Sequence, residues 1–207
     1  MDEVHGLFPI PLMHVRPAIE PPLVAALVEH FTAHADLDNK SSPNLTHTAM
    51  LHPGDSPLLV AAAAAILPKL TEFGRLLFGE PLGWAIKEMW VNLMDTGGQQ
   101  AMHNHANCFI SGVLYLTPTH EDARTAFMRN LGGVDFAFRN DHDGIERGTY
   151  NASTWVCPAP EVGDMVLFPS YLMHGVAANK GGRRITMAFN AIPTQLNNWG
   201  YTVSFGA

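Results

Sequence analysis

The sequence predicts a mainly β protein, an antiparallel sandwich or jelly-roll barrel, whose helices are confined to the N-terminal part. Apolar residues recur at helical spacing only within the first eighty residues. From Trp84 onward, short β-branched and aromatic runs are separated by Gly-rich turns. Strands and helices do not alternate, which argues against a Rossmann or TIM-like fold. We therefore expect a single domain over residues 1–207, with a mostly helical flank over 1–82 and a β core over 83–207.

The flank contains two predicted helices. The first covers Leu23–Phe31 and follows a Pro-Pro pair. The second covers Ser56–Phe78, because a serine followed by a proline suits the N-cap and N1 positions. We expect a kink at Pro68 and a helix end at Gly79. The segment between the helices, Asp36–Asp55, is rich in Asn, Ser, Pro and His and is predicted to be a loop.

The remaining segments have strand composition and are bounded by turn residues. The predicted strands are Trp84–Leu93, Cys108–Thr117, a hairpin of Thr125–Leu131 with Val134–Phe138, Met165–Phe168 and Arg184–Asn190. Turns over residues 96–98, 161–164 and 179–182 separate several of them. Many short strands with such turns are typical of a jelly roll.

Composition and charge exclude several classes of partner. The chain has 12 Lys and Arg against 19 Asp and Glu, a net charge of −7 with histidine neutral. Nucleic acids and anionic membranes attract clustered Lys and Arg, so we expect neither as a partner. The high apolar and low charged content is compatible with a homodimer.

The cellular location is also an expectation from the sequence. No basic and apolar leader is visible at the N-terminus, and Cys108 and Cys157 form no CxxC motif, so we expect a reducing, cytoplasmic location. The longest apolar run, Leu58–Leu67, is shorter than the about 20 residues that span a bilayer. We interpret this run as part of a core helix.

Histidines are the most informative residues. His103 and His105 are two residues apart, and on an extended strand such side chains project from the same face. His174 follows a Pro-Ser corner at the start of another strand, and Arg184 and Thr186 share a face of the next strand. The other histidines have no partner at ligand spacing and are interpreted as surface or structural residues: His5, His14, His30, His34, His47, His52, His120 and His142.

The order of these motifs resembles that of the non-haem iron, 2-oxoglutarate-dependent dioxygenases. The sequence is most similar to small bacterial and phage proteins described as 2-oxoglutarate–iron(II) oxygenases, over about residues 7 to 190. The segments that carry the resemblance are Leu7-Phe8-Pro9, Trp90-Val91-Asn92, His103-x-His105, Ser111 to Leu116, Phe168-Pro169-Ser170, His174-Gly175-Val176 and Arg184 to Asn190. The resemblance implies a double-stranded β-helix, a cupin-like jelly roll.

The resemblance also implies roles for individual residues. His103 and His174 match the histidine ligands of Fe(II), and Arg184 matches the arginine that binds the distal carboxylate of 2-oxoglutarate. Thr186, Tyr115 and Asn92 match positions that contact the same cosubstrate. The implied reaction is an O₂-dependent hydroxylation, and both a small metabolite and a protein side chain are compatible as the substrate.

His105 departs from the general pattern, which has Asp or Glu at this position to complete two histidines and a carboxylate. Three histidines also suit Zn²⁺ with an open coordination position, so the ligands alone do not distinguish iron from zinc. A cupin-like zinc hydrolase or lyase and a non-catalytic metal-binding module therefore stay open as alternatives. Arg184 favours the oxygenase, because a hydrolytic zinc site requires no carboxylate receptor.

Overall fold

The computed structural model describes residues 2–33, 37–38, 42–129 and 142–206. The predicted strand Val134–Phe138 and His34 lie outside these residues. Within them the elements are β1 (Met13–Val15), α1 (Pro21–Thr32), β2 (Leu37–Asp38), β3 (Leu45–His47), α2 (Pro57–Phe78), β4 (Trp84–Met94), β5 (Gln100–His103), β6 (Ile110–Tyr115), β7 (Thr125–Met128), β8 (Thr154–Val156), β9 (Met165–Pro169), β10 (His174–Val176), β11 (Arg184–Pro193), β12 (Gln195–Asn198) and β13 (Tyr201–Ser204). Short 3-10 helices cover Pro53–Asp55 and Glu121–Ala123.

Two antiparallel sheets form the body of the described fold. The large sheet has the strand order β1-β9-β6-β11-β4-β3-β2, and the small sheet has the order β5-β10-β7-β8. Strands that follow one another in the chain often lie in opposite sheets, as β9 and β10 do across the Pro169-Ser170 corner. This arrangement is the predicted double-stranded β-helix, so the fold prediction is confirmed. A separate hairpin of β12 and β13 follows the last strand of the large sheet.

The large core lies between the helices and the outer face of the large sheet. Leu27 of α1 and Ile66 and Phe73 of α2 join Met89 and Phe189 of the sheet, and all five are fully buried. A smaller apolar cluster joins the two sheets, where the rings of Phe127 and Phe168 meet with centroids 5.0 Å apart.

Helix α2 has the predicted ends. The Ser56 hydroxyl accepts a hydrogen bond from the Leu59 amide (3.2 Å), and Gly79 adopts a left-handed φ of 79° that closes the helix. The helix runs through Pro68 over 22 residues, so by length and composition alone it is long and apolar enough to cross a membrane. Its buried face packs in the large core, as the sequence predicts for a core helix.

Part of the predicted loop Asp36–Asp55 is instead β structure, and the loop prediction is wrong there. Strand β3 pairs with the end of β4 and adds β2 beyond it. Because β4 has 11 residues, its second edge would otherwise expose unpaired backbone groups. The predicted hairpin of Thr125–Leu131 with Val134–Phe138 lies partly outside the described residues; within them, β7 pairs with β8 and β10. The hairpin of β12 and β13 was not predicted.

Candidate metal centre and cosubstrate pocket

A pocket lies between the two sheets, and side chains of the large sheet form its floor. Paired residues of antiparallel strands project from the same face, as does every second residue along a strand. Strands β3, β4 and β11 therefore present successive rows to the pocket. The rows are Leu45 with Met94 and Arg184, His47 with Asn92 and Thr186, Trp90 with Ala188, and Glu88 with Asn190.

Three histidines converge on the opposite wall. His103 and His174 are directly paired on β5 and β10, and their ring centroids are 4.4 Å apart. His105 lies two residues beyond His103, after β5 has ended, and its backbone amide donates to the Ser170 carbonyl at 3.0 Å. One ring nitrogen from each histidine lies within 4.8 Å of the other two. The structure thus brings the three histidines together, although the expected extended conformation stops at His103.

Hydrogen bonds determine which nitrogen of each ring faces the pocket. Nδ1 of His103 donates to the Ala101 carbonyl (2.8 Å), and Nδ1 of His174 donates to the Leu172 carbonyl (2.9 Å). A carbonyl oxygen only accepts, so Nδ1 carries the proton and Nε2 of both rings, when neutral, carries a lone pair. Nε2 of His103 lies 3.1 Å from Nε2 of His105. Nδ1 of His105 lies 2.7 Å from Oδ1 of Asn190, and when it donates there, Nε2 of the neutral ring also carries a lone pair. Two lone pairs this close repel unless a cation lies between them, so the donor set fits a transition-metal ion.

The protonation of the buried histidines also fits a cation. Burial lowers the pKa of His174 to about 3, with a further contribution from His103 and His105. Burial lowers the pKa of His105 as well, against the opposing hydrogen bond to Asn190. Metal ligation requires neutral imidazole, and these shifts favour that form at neutral pH.

Arg184 lies in the same pocket without an anionic partner. The residue is 3% exposed, its Nε–H has no hydrogen-bond partner, and Nη1 donates to the Thr186 hydroxyl over a long 3.4 Å. No carboxylate among the described residues forms an ion pair with it. Burial lowers its pKa, and Tyr115 opposes that shift. A buried guanidinium with unsatisfied donors fits a bound carboxylate.

The other predicted contacts surround Arg184. The Tyr115 ring is fully buried with its centroid 5.4 Å from the guanidinium carbon, and its hydroxyl hydrogen-bonds to that of Thr125 (2.9 Å). Burial raises the pKa of Tyr115, so the phenol stays protonated. Asn92 is half-buried and lies beside Thr186 in the same row.

Sequence reasoning missed Glu88, Asn190 and His47 as pocket residues. Glu88 and Asn190 continue the every-second-residue pattern that contains Asn92 and Thr186, so extending this pattern along the strands would have found them. The sequence places His47 in a predicted loop, but β3 positions it in the pocket beside Asn92.

The fold and this site define a double-stranded β-helix protein with a candidate non-haem metal centre. Residues 88–190, about half of the chain, match the family described as "Putative 2OG-Fe(II) oxygenase". The chain belongs to this family of 2-oxoglutarate- and Fe(II)-dependent oxygenases. A comparison with curated protein sequences finds no match.

Solved structures share the fold at low sequence identity. HygX from Streptomyces hygroscopicus, with nickel and 2-oxoglutarate bound, is 16% identical with a TM-score of 0.65, over 89% of this chain and 84% of that one. A Pseudomonas putida prolyl-4-hydroxylase is 17% identical with a TM-score of 0.56, over 88% and 93%. The viral collagen prolyl hydroxylase of Paramecium Bursaria Chlorella virus-1 is 10% identical with a TM-score of 0.56, over 87% and 94%.

Proposed function

We propose that this oxygenase hydroxylates its substrate with Fe(II) held by His103, His105 and His174, and that Arg184 binds the distal carboxylate of 2-oxoglutarate. The observation that carries the proposal is the buried, unpaired guanidinium of Arg184 in the pocket where three imidazole lone pairs converge. A cation and a dianion together would satisfy both halves of this pocket.

The side chains on the pocket floor would bind and orient the cosubstrate. The planar guanidinium of Arg184 can hold a carboxylate through two parallel hydrogen bonds. The Thr186 hydroxyl and the Asn92 amide, which lie side by side in the next row, can add donors to the same ligand. Tyr115 packs against the guanidinium and limits its movement.

The metal and cosubstrate carry the chemistry that amino-acid side chains lack. When bound, Fe(II) and 2-oxoglutarate supply O₂ activation, coupled to oxidative decarboxylation of 2-oxoglutarate to succinate and CO₂. The chain contributes neutral imidazoles, a positive receptor for the carboxylate, and a pocket floor that excludes bulk water.

The substrate class is inferred from the molecules that similar structures bind or act on. One structure of HygX contains hygromycin B, a small molecule, and two other similar structures are prolyl hydroxylases. We infer that the substrate is a small molecule or a protein side chain that reaches the pocket beside Met50, Trp90 and His47.

Metal reconstitution tests the proposal. We expect chelator-treated protein to bind 2-oxoglutarate in a calorimeter only after addition of Fe(II) or Ni²⁺ under nitrogen. Fe(II) with O₂ should then produce succinate, at least as slow turnover without primary substrate. His103→Ala should abolish both, whereas His5→Ala, at an exposed position, should change neither.

Two results would reject the oxygenase assignment. Turnover restored by Zn²⁺ without O₂ would indicate the zinc enzyme that three histidines also allow. Metal binding without any 2-oxoglutarate binding would indicate a non-catalytic metal-binding module.

A further inference from the structure

We propose that Glu88 and Asn190 are positioning residues that fix the tautomer and orientation of His105 and thereby make it the third metal ligand. This inference rests on the proposed function for the identity of the metal centre. It assigns a role to two side chains that the cosubstrate and the other ligands do not use.

Asn190 connects Glu88 to His105. The Asn190 side chain is 3% exposed, and its Nδ2 donates to Oε1 of Glu88 at 2.8 Å. Its Oδ1 lies 2.7 Å from Nδ1 of His105 and also accepts from the Ser111 hydroxyl at 2.8 Å. Each polar atom of the Asn190 amide therefore has a partner.

The chemistry of these partners allows one arrangement. A carboxylate only accepts hydrogen bonds, so the NH₂ group of Asn190 must face Glu88 and its oxygen must face His105. The His105 nitrogen next to that oxygen must then carry a proton, because two acceptors 2.7 Å apart would repel. Nε2 of His105 is left with its lone pair directed at His103 and the candidate metal position.

His105 needs this support more than the other two histidines. His103 and His174 lie on paired strands and donate to main-chain carbonyls two residues away, so the backbone itself fixes their tautomers. His105 lies beyond the end of β5, and its Nδ1 bonds to side chains only, those of Asn190 and Ser111.

A β-bulge places Glu88 where Asn190 can reach it. Asn190 pairs with Glu88, but the next residue, Ala191, pairs with Ile86, which leaves Lys87 without a partner on β11. The extra residue reverses the alternation, so Ile86 faces the helices whereas Glu88 faces the pocket. Lys87 contacts Oε1 of Glu88 at 3.4 Å and helps to hold the carboxylate.

The Glu88 carboxylate thus acts on the ligand His105 through the side-chain amide of Asn190. The general pattern of related enzymes has a carboxylate at position 105 itself. In this chain the negative charge of Glu88 lies two hydrogen bonds from Nδ1 of His105, and the opposite ring nitrogen, Nε2, faces the candidate metal position. Hydrogen-bond partners of metal-bound histidines raise their basicity and fix their orientation.

Two variants and a matched control test this role. Glu88→Gln keeps the size of the side chain, but a glutamine can also donate, so the Asn190 amide can reverse. Asn190→Leu removes the hydrogen bonds to Glu88, His105 and Ser111 at similar volume. Asn179→Leu is the control, because Asn179 is equally buried and bonds to the backbone of Met94 and Gly182 rather than to the histidines.

The first measurement is the His105 tautomer in metal-free protein at neutral pH, from ¹⁵N ring shifts in NMR. The second is the Ni²⁺ dissociation constant. We expect Nδ1-protonated His105 in the wild type, a tautomer mixture in Glu88→Gln, and loss of the preference in Asn190→Leu. Ni²⁺ binding should weaken about 10–100-fold in Asn190→Leu, less in Glu88→Gln, and stay unchanged in Asn179→Leu.

The outcomes separate this inference from the proposed function. An unchanged His105 tautomer and an unchanged Ni²⁺ affinity in Glu88→Gln would overturn the positioning role, even if Asn190→Leu fails to fold or to bind Ni²⁺. A changed tautomer in a protein that fails to bind 2-oxoglutarate would support the positioning role and reject the oxygenase assignment instead. An equal loss of Ni²⁺ affinity in Asn179→Leu would show a general packing effect and overturn the inference.

Discussion

Replacing Arg184 by methionine should stabilise the metal-free protein while it abolishes binding of 2-oxoglutarate. Arg184 is 3% exposed, has no carboxylate partner among the described residues, and leaves Nε–H unpaired. A buried charge without a counter-ion costs several kcal/mol, and methionine fills a similar volume without that cost. Function and stability should therefore change in opposite directions.

The magnitude follows from what Arg184 contacts. Replacing buried ionic groups by apolar ones of similar volume is neutral or stabilises by about 1–4 kcal/mol. Against this, the variant loses the contact with the Tyr115 ring, of the order of 0.5–2 kcal/mol, and a long hydrogen bond to Thr186. These contributions leave a net gain of up to about 3 kcal/mol in the free energy of unfolding.

Arg183 supplies a neighbouring control. Its Nε and Nη2 donate to the Asp95 carboxylate at 2.7 and 3.1 Å, and both side chains are about half exposed. Such a surface pair contributes about 0–1 kcal/mol, so Arg183→Met should lower stability slightly or leave it unchanged. Its guanidinium is held by Asp95, so 2-oxoglutarate binding should be unaffected.

Urea unfolding measures both effects. The metal-free proteins give the intrinsic stability, and Ni²⁺-loaded proteins with and without 2-oxoglutarate give the ligand contribution. At a ligand concentration of 100 times its dissociation constant, the wild type and Arg183→Met should gain about 2.7 kcal/mol and Arg184→Met nothing. A metal-free Arg184→Met less stable than the wild type, or one protected equally by 2-oxoglutarate, would refute the reasoning.

Other substitutions test the packing and the titration of the site. Gly112→Ala should destabilise by about 1–3 kcal/mol or more, because its Cβ would overlap the Phe189 ring, whereas Gly182→Ala meets open space and should change stability by less than about 0.5 kcal/mol in urea. Phe73→Ala should lower the free energy of unfolding by about 3–5 kcal/mol in the same assay, since this ring on the inner face of α2 is fully buried. A smaller loss would contradict the packing of that helix. The pKa of His174 falls from 6.5 when unfolded to about 3 when folded, so the unfolded chain takes up the proton first. Stability of the metal-free protein should therefore fall as the pH drops below about 6.5, by up to about 1.4 kcal/mol per pH unit. A His174→Gln variant should show a shallower pH dependence, and identical slopes would exclude the effect.

The fold was predictable because its signals are local. The Ser56 cap and the Gly79 stop define α2, and the turn residues define the long strands of the large sheet. Strand β3 has only three residues, LTH, with no period to recognise, and its pairing depends on the exposed edge of β4. Such an edge becomes visible only when the sheet is assembled, so Leu45–His47 was predicted as loop.

The site residues, like the strands, were predictable where their sequence signals are local. Six of the seven residues named from the sequence line one pocket, and Tyr115 packs against Arg184 beside it. Spacing predicted that His103 shares a face with His105 and Arg184 with Thr186, because a strand repeats its facing side chains every two residues. The resemblance to the oxygenase family implied the roles of His174, Tyr115 and Asn92.

The support of His105 depends on a different kind of information. Asn190 is 85 residues away from His105 along the chain, and Glu88 is 102 residues away from Asn190. Counted from Asn92, the two-residue period reaches Glu88. Counted from the core residue Ile86, it places Glu88 on the helix side of the sheet, because the bulge at Lys87 lies between the two residues. The two-residue period can therefore place Glu88 and Asn190 in the pocket, but the hydrogen-bonded chain from Glu88 through Asn190 to His105 becomes visible only in the folded register.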